Sequence, residues 1–164
     1  MEKHIWSSED KLKYYGYGEW VEECDYSYFK HNGIECVVKR AVLPKKYIEK
    51  RGKLWGYGVR GGHLCGYCKL SKNHPWWEVK YTCELKINVH GGITYMRNEI
   101  IGFDAAQYKY RRIPDLIPSL MRIIKEKSKI PRKYHYVYPA VYRNMEYMRE
   151  ECKKLADQII ETNK

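Results

Sequence analysis

Phenylalanine is almost missing from this chain, two residues in 164, while tyrosine contributes seventeen and tryptophan five. The 15% aromatic content is the opposite of a disordered composition, and a chain of this length can bury a real core. No apolar run approaches the roughly 18 residues of a membrane span. The opening Met1-Glu2-Lys3-His4-Ile5-Trp6-Ser7 lacks the apolar stretch of a secretory leader. No membrane partner is expected, and the expected location is the cytoplasm, where the six cysteines are reduced thiols. Internal repeats and low-complexity tracts are also lacking, so one domain over residues 1–164 is expected. Acidic residues are short as well, 20 against 31 lysines and arginines, a net charge of +11. That balance favours polyanions: nucleic acid, nucleotides or an acidic protein surface.

The positive charge is gathered in two places. Residues 39–60 carry eight Lys/Arg against one acid, and residues 109–133 carry nine against two. Each segment has a net charge of +7, so the rest of the chain is net acidic. Tyr47, Tyr57, Tyr108, Tyr110 and Tyr134 are interleaved with these charges. Cations for phosphate and rings for bases are what a nucleotide or single-stranded nucleic-acid site requires. A solvated basic face with its tyrosines in the core has the same pattern.

Residues 1–18 read as an irregular or weakly ordered lead-in, and residues 19–29 as a strand or edge element. His31-Asn32-Gly33 is a turn signal, and the β-branched run 34–42 is a strand. Residues 44–60 read as a basic loop, 63–70 as a strand and Asn73-His74-Pro75 as a turn. Residues 82–89 alternate, with Cys83, Leu85, Ile87 and Val89 on one side, which predicts a half-buried strand. After Gly91-Gly92, residues 93–96 and 99–103 read as strands joined by a turn at Arg97-Asn98. Helical spacing follows in Ile113, Leu116, Ile117, Leu120, Met121 and Ile124. It returns in Val141, Met145, Met148, Cys152, Leu155 and Ile159, a stripe suited to a core or to a homo-oligomer interface. The expected fold is α+β: a mostly antiparallel sheet over about residues 34–104, covered by two C-terminal helices.

Two Gly/His/Tyr clusters carry the chemistry. Gly61-Gly62-His63-Leu64-Cys65-Gly66-Tyr67 precedes Val89-His90-Gly91-Gly92-Ile93-Thr94-Tyr95, and Ile101-Gly102-Phe103-Asp104 follows. The glycines allow a tight turn or a close ligand, and at least one of Gly91 and Gly92 is expected at positive φ. Imidazoles at glycine-flanked strand ends serve as acid, base or backbone-bonded turn residues. His63 and His90 are expected to face one pocket with Tyr67, Thr94, Tyr95 and Asp104, and His63, His90 and Asp104 are the catalytic candidates. Cys65-Gly66-Tyr67-Cys68 lies in a strand, which sends its cysteines to opposite faces, and Cys24, Cys36, Cys83 and Cys152 are scattered singly. Redox chemistry and zinc both need another arrangement, so free thiols are expected, with no metal and no cofactor.

Several of these pieces, in order, resemble a family of small bacteriophage proteins. They are Gly62 to Tyr67, Asn73-His74-Pro75, Val89 to Tyr95, Ile101 to Asp104, and the closing helix from Tyr142 through Ala156. The resemblance covers roughly residues 34–160, and its HGG(I/L)TY element is fairly specific. The family pattern continues after Phe-Asp with a small residue, then His and an acid; here Gln107 stands at the histidine position and the acid is missing. The resemblance implies a phage origin, the host cytoplasm, and a host-directed role such as sequestering or cleaving a nucleotide signal of host defence. Glutamine cannot carry a proton at neutral pH, so binding with little turnover is the expectation.

The leading expectation is binding of a nucleotide-type phosphorylated ligand by His63, Tyr67, His90, Gly91, Gly92, Thr94, Tyr95, Asp104 and Gln107. Lys109, Arg111 or cations of residues 39–60 would neutralise phosphate. A nucleic-acid-binding protein, nuclease or phosphodiesterase is the rival, with paired histidines as base and acid in the enzyme version. A protein–protein inhibitor of a host defence enzyme, docking through tyrosines, is the third reading.

Overall fold

Asn32 and Gly33 both take positive φ, 50° and 86°, the primed turn whose twist suits a tight hairpin. They join β2 (Tyr26–His31) to β3 (Ile34–Arg40) and set the register, with His31 opposite Ile34 and Tyr26 opposite Lys39. The protein is described by a computed structural model over residues 1–15, 18–41, 62–79, 82–105 and 142–163. The hairpin belongs to a six-stranded antiparallel sheet. Its other strands are β1 (Glu2–Lys3), β4 (Leu64–Lys69), β5 (Tyr95–Arg97) and β6 (Ile100–Asp104), in the order β1-β2-β3-β4-β6-β5. A second positive-φ asparagine, Asn98 at 54°, turns β5 into β6.

Besides α1 (Ser8–Tyr15), the described residues hold α2 (Met145–Thr162), which begins where the Asn144 side chain accepts the Tyr147 N–H at 3.0 Å. Its stripe of Met145, Met148, Cys152, Leu155, Ala156 and Ile159 is buried against Cys36, Val38, Leu64, Cys68, Ile101 and Phe103. His74 ties the far end: Nδ1 accepts the Trp76 N–H at 3.1 Å, which leaves the Nε2 proton to donate to the Ile159 carbonyl at 3.0 Å. The α+β fold and the closing helix agree with the sequence reading. The helix expected over residues 113–124 lies outside the described residues, as does the basic loop over residues 44–60.

Three expectations are corrected. The sheet begins at Glu2 rather than near residue 34. Residues 1–15 are an ordered part of the fold, with Trp6 and Lys11 buried. The reason lies far along the chain: Asp25 Oδ2 accepts the N–H groups of Ile5 and Trp6 at 2.8 and 2.9 Å. Finally, residues 82–89 form no strand. They open with a 3₁₀ turn (Thr82–Glu84) and continue irregularly, although Leu85, Ile87 and Val89 do turn inward and Lys86 and Asn88 outward. Instead of a neighbouring strand, the side-chain amide of Gln158 on α2 pairs with both the N–H and the C=O of Asn88, at 2.8 and 3.1 Å. Alternation reports which side is buried; it does not supply a ladder partner.

Candidate functional site

Cross-strand partners point to the same side of a sheet, so the register sorts the side chains. One face carries the core and α2. The other carries three rows across the strands. Lys3, Tyr26, Lys39, Cys65 and Asp104 form the first, and Tyr28, Val37, Tyr67, Gly102 and Tyr95 the second. The third row includes Lys69, Ile100 and Arg97, with Lys30 and Glu35 on the neighbouring hairpin. Tyr67 and Tyr95 meet edge to face, with ring centroids 5.5 Å apart, and Lys39 Nζ sits 5.1 Å from the Tyr67 ring centroid. Gly102 makes this possible: a Cβ there would stand 2.6 Å from the Tyr67 ring. Tyr95 is 41% exposed, and the Lys3, Lys30, Lys39, Lys69 and Arg97 side chains reach solvent. Lys69 is held loosely between Glu35 and Glu99, at 3.8 and 3.7 Å.

This second face gathers Tyr67, Tyr95 and Asp104 from the sequence-predicted site. His63, one residue before β4, shares their parity, and its carbonyl accepts the Ala41 N–H at 2.8 Å. His90 goes elsewhere. Its N–H donates to Glu151 Oε2 at 2.7 Å and its Nδ1 lies 3.0 Å from the Tyr147 hydroxyl, both on α2. Lys154 completes the Glu151 pair at 2.6 Å, and Arg143 lies over the Tyr147 ring at 4.4 Å. Burial first, then the Arg143 charge, hold the His90 imidazole below its ordinary 6.5, against the opposing pull of Glu151 and Asp104. The shift favours the neutral imidazole. His90 is thus tied to α2 with the Asp104 charge also in reach, and His63 stands at the start of β4.

Gly91 and Gly92 take φ of 70° and 80°, as expected, and the Gly92 N–H closes the turn on the Val89 carbonyl at 3.0 Å. Thr94 then aligns β5, its N–H on the Gly102 carbonyl at 2.9 Å. Nothing lies within 4 Å of a Cβ built at Gly92. Gly92→Ala therefore tests backbone conformation alone: a loss of about 1–2 kcal/mol in urea unfolding is expected from the left-handed φ.

Sequence reasoning missed a buried ionic cluster. Asp25 Oδ1 accepts from Arg40 Nε at 2.7 Å and pairs with Lys11 Nζ at 3.1 Å, all three side chains fully buried. Arg40 also donates to Glu23 at 2.6 Å, to the Gly62 carbonyl at 2.8 Å and to the Tyr142 hydroxyl at 3.1 Å. Tyr142 in turn donates to Glu23, whose other oxygen accepts the Met145 N–H at 2.5 Å. Of the basic run 39–60, Lys39 is thus presented to solvent and Arg40 is consumed by structure. No local pattern marks this; an acid–acid–aromatic run such as Glu22 to Tyr26 reads like any surface strand.

Cys65 and Cys68 are free thiols on opposite faces; Cys68 Sγ lies 3.6 Å from Cys36 Sγ and donates to the Cys152 carbonyl at 3.4 Å. Burial pushes the Cys65 thiol up to about 11, so it is not a nucleophile at neutral pH. Among the described residues, no group of three or more His, Cys, Asp or Glu is placed to hold a metal ion, and no helix is long and apolar enough to cross a membrane. Gln107, Lys109 and Arg111 lie outside the described residues. Comparison with known proteins finds no matching family model, no matching curated protein and no matching solved structure.

Proposed function

We propose that the protein binds a nucleotide-type phosphorylated ligand on the second sheet face, with a base against Tyr67 and Tyr95 and phosphate beside Lys39. One observation carries this reading: an edge-to-face tyrosine pair, Tyr95 exposed and Tyr67 half-buried, with a lysine over one ring. Rings supply the apolar area a base needs, and exposed ammonium groups supply phosphate neutralisation without displacing an existing buried partner. Binding without turnover is the version we favour. Burial pushes the Tyr67 phenol above its ordinary range, and His90 is committed to Glu151 and Tyr147. In a phage protein, such binding would sequester a nucleotide signal of host defence within the host cytoplasm.

The test is calorimetric titration with cyclic dinucleotides, cyclic ADP-ribose isomers and AMP, followed by recovery of the ligand. Micromolar or tighter binding and intact recovered ligand are expected. Tyr95→Ala is expected to weaken binding by about 5- to 150-fold, the range a base–aromatic stack of about 1–3 kcal/mol implies. Unchanged affinity in that variant would remove the face from the site. Product formation abolished by His90→Ala would make the protein an enzyme.

A further inference from the structure

We infer that the ligand class taken by this second face is single-stranded nucleic acid, lying across the strands along the row Tyr28, Tyr67, Tyr95; this rests on the nucleotide-binding reading above and extends it. The three rings belong to one register row, because Tyr28 pairs with Val37, Val37 with Tyr67, Tyr67 with Gly102, and Gly102 with Tyr95. They stand on β2, β4 and β5, each two strands from the next in the sheet order. With strands about 4.8 Å apart, the backbone positions of neighbouring members stand roughly 10 Å apart and the row spans roughly 19 Å, while the Tyr67 and Tyr95 rings lean together to 5.5 Å between centroids. A mononucleotide occupies one end of such a row. Only a chain of several nucleotides reaches all three rings.

Charge follows the same line. Exposed cations flank the aromatic row on both sides, Lys3 and Lys39 in one neighbouring row, which ends at Asp104, and Lys69 and Arg97 in the other, where Lys69 lies between Glu35 and Glu99. Cations on both sides of a line of rings match a polymer that carries a base and a phosphate at every step. A duplex hides its base faces and has no use for the rings. Stacking on tyrosine is tolerant of base identity, so little sequence preference follows.

The experiment is fluorescence anisotropy of the full chain with labelled oligo(U) and oligo(dT) of two, four and eight nucleotides, a blunt duplex, and AMP as competitor. The octamer is expected to bind at least tenfold tighter than the dinucleotide and than the duplex. Its log–log salt slope should be about −3, from four cations at about 0.7 per phosphate. Tyr28→Leu should weaken octamer binding fivefold or more. The RNA and DNA arms decide which polymer is preferred. An octamer no tighter than the dinucleotide overturns the single-strand inference while nucleotide binding stands. Equal affinity for duplex, or an unaffected Tyr28→Leu, shows charge without stacking and overturns it too. Failure of AMP and every oligomer to bind removes both readings.

Discussion

Asp25→Ala is expected to cost about 3–5 kcal/mol in equilibrium urea unfolding, the range for removing one member of a buried ion pair. The carboxylate holds Lys11 and Arg40 at 3.1 and 2.7 Å where neither side chain touches water. Its other oxygen satisfies two backbone N–H groups, those of Ile5 and Trp6. The alanine variant leaves Arg40 with Glu23 as its one remaining carboxylate partner among the described residues and takes the carboxylate from buried Lys11 and from two N–H groups. Against a total of about 5–15 kcal/mol for a domain, the loss is a large fraction. Asp157→Ala provides the contrast: its pair with His31 is made by a half-exposed carboxylate, 49% accessible, and less than about 1 kcal/mol is expected.

The same cluster sets an acid limit. Burial alone would raise the Asp25 carboxyl, but the Trp6 N–H, the Arg40 guanidinium and the Ile5 N–H outweigh it and hold it below the ordinary 3.8. A carboxyl depressed in the folded state contributes fully above its unfolded value and loses that contribution as pH falls through the folded one. Stability should therefore hold down to about pH 4 on this account and fall below it. Urea midpoints at pH 3 and pH 7 check this, and Asp25→Asn should shrink the difference between them.

Gly66→Val is expected to cost roughly 3 kcal/mol, the upper part of the overpacking range. Gly66 lies on β4 beneath α2, and a Cβ there would stand 2.6 Å from the Phe103 ring and 2.7 Å from Cys152 Sγ. Both neighbours are buried, Phe103 at 1% and Cys152 at 0% exposure, so neither can swing into solvent. Gly66→Ala should cost less, and Gly66→Ala with Phe103→Leu should recover part of that loss. Urea midpoints of the three variants decide it. Additive losses in the double variant would show that the ring is not what the Cβ meets.

Local chemistry determined much of this molecule. The Asn32-Gly33 turn, the period-two strands that flank it, the α2 stripe and the positive φ of Gly91 and Gly92 all follow from residues within a few positions of one another. Tyr67, Tyr95 and Asp104 were legible as a group in the same way, from polar residues set among glycines on strands. Their alignment with Tyr28 and Lys39 was not, because only the cross-strand register shows which residues share a row. Tertiary structure alone decided the rest. Asp25 orders a lead-in twenty residues away, Gln158 replaces a strand seventy residues away, and Tyr142 reaches Glu23 across 119 positions. Asp25 and Glu23 likewise withdraw Arg40 from the basic run, and Glu151 and Tyr147 hold His90 on α2. Hydrogen bonds and ion pairs between distant residues leave no periodic trace in a sequence, since their partners become neighbours only once the sheet and helix have packed.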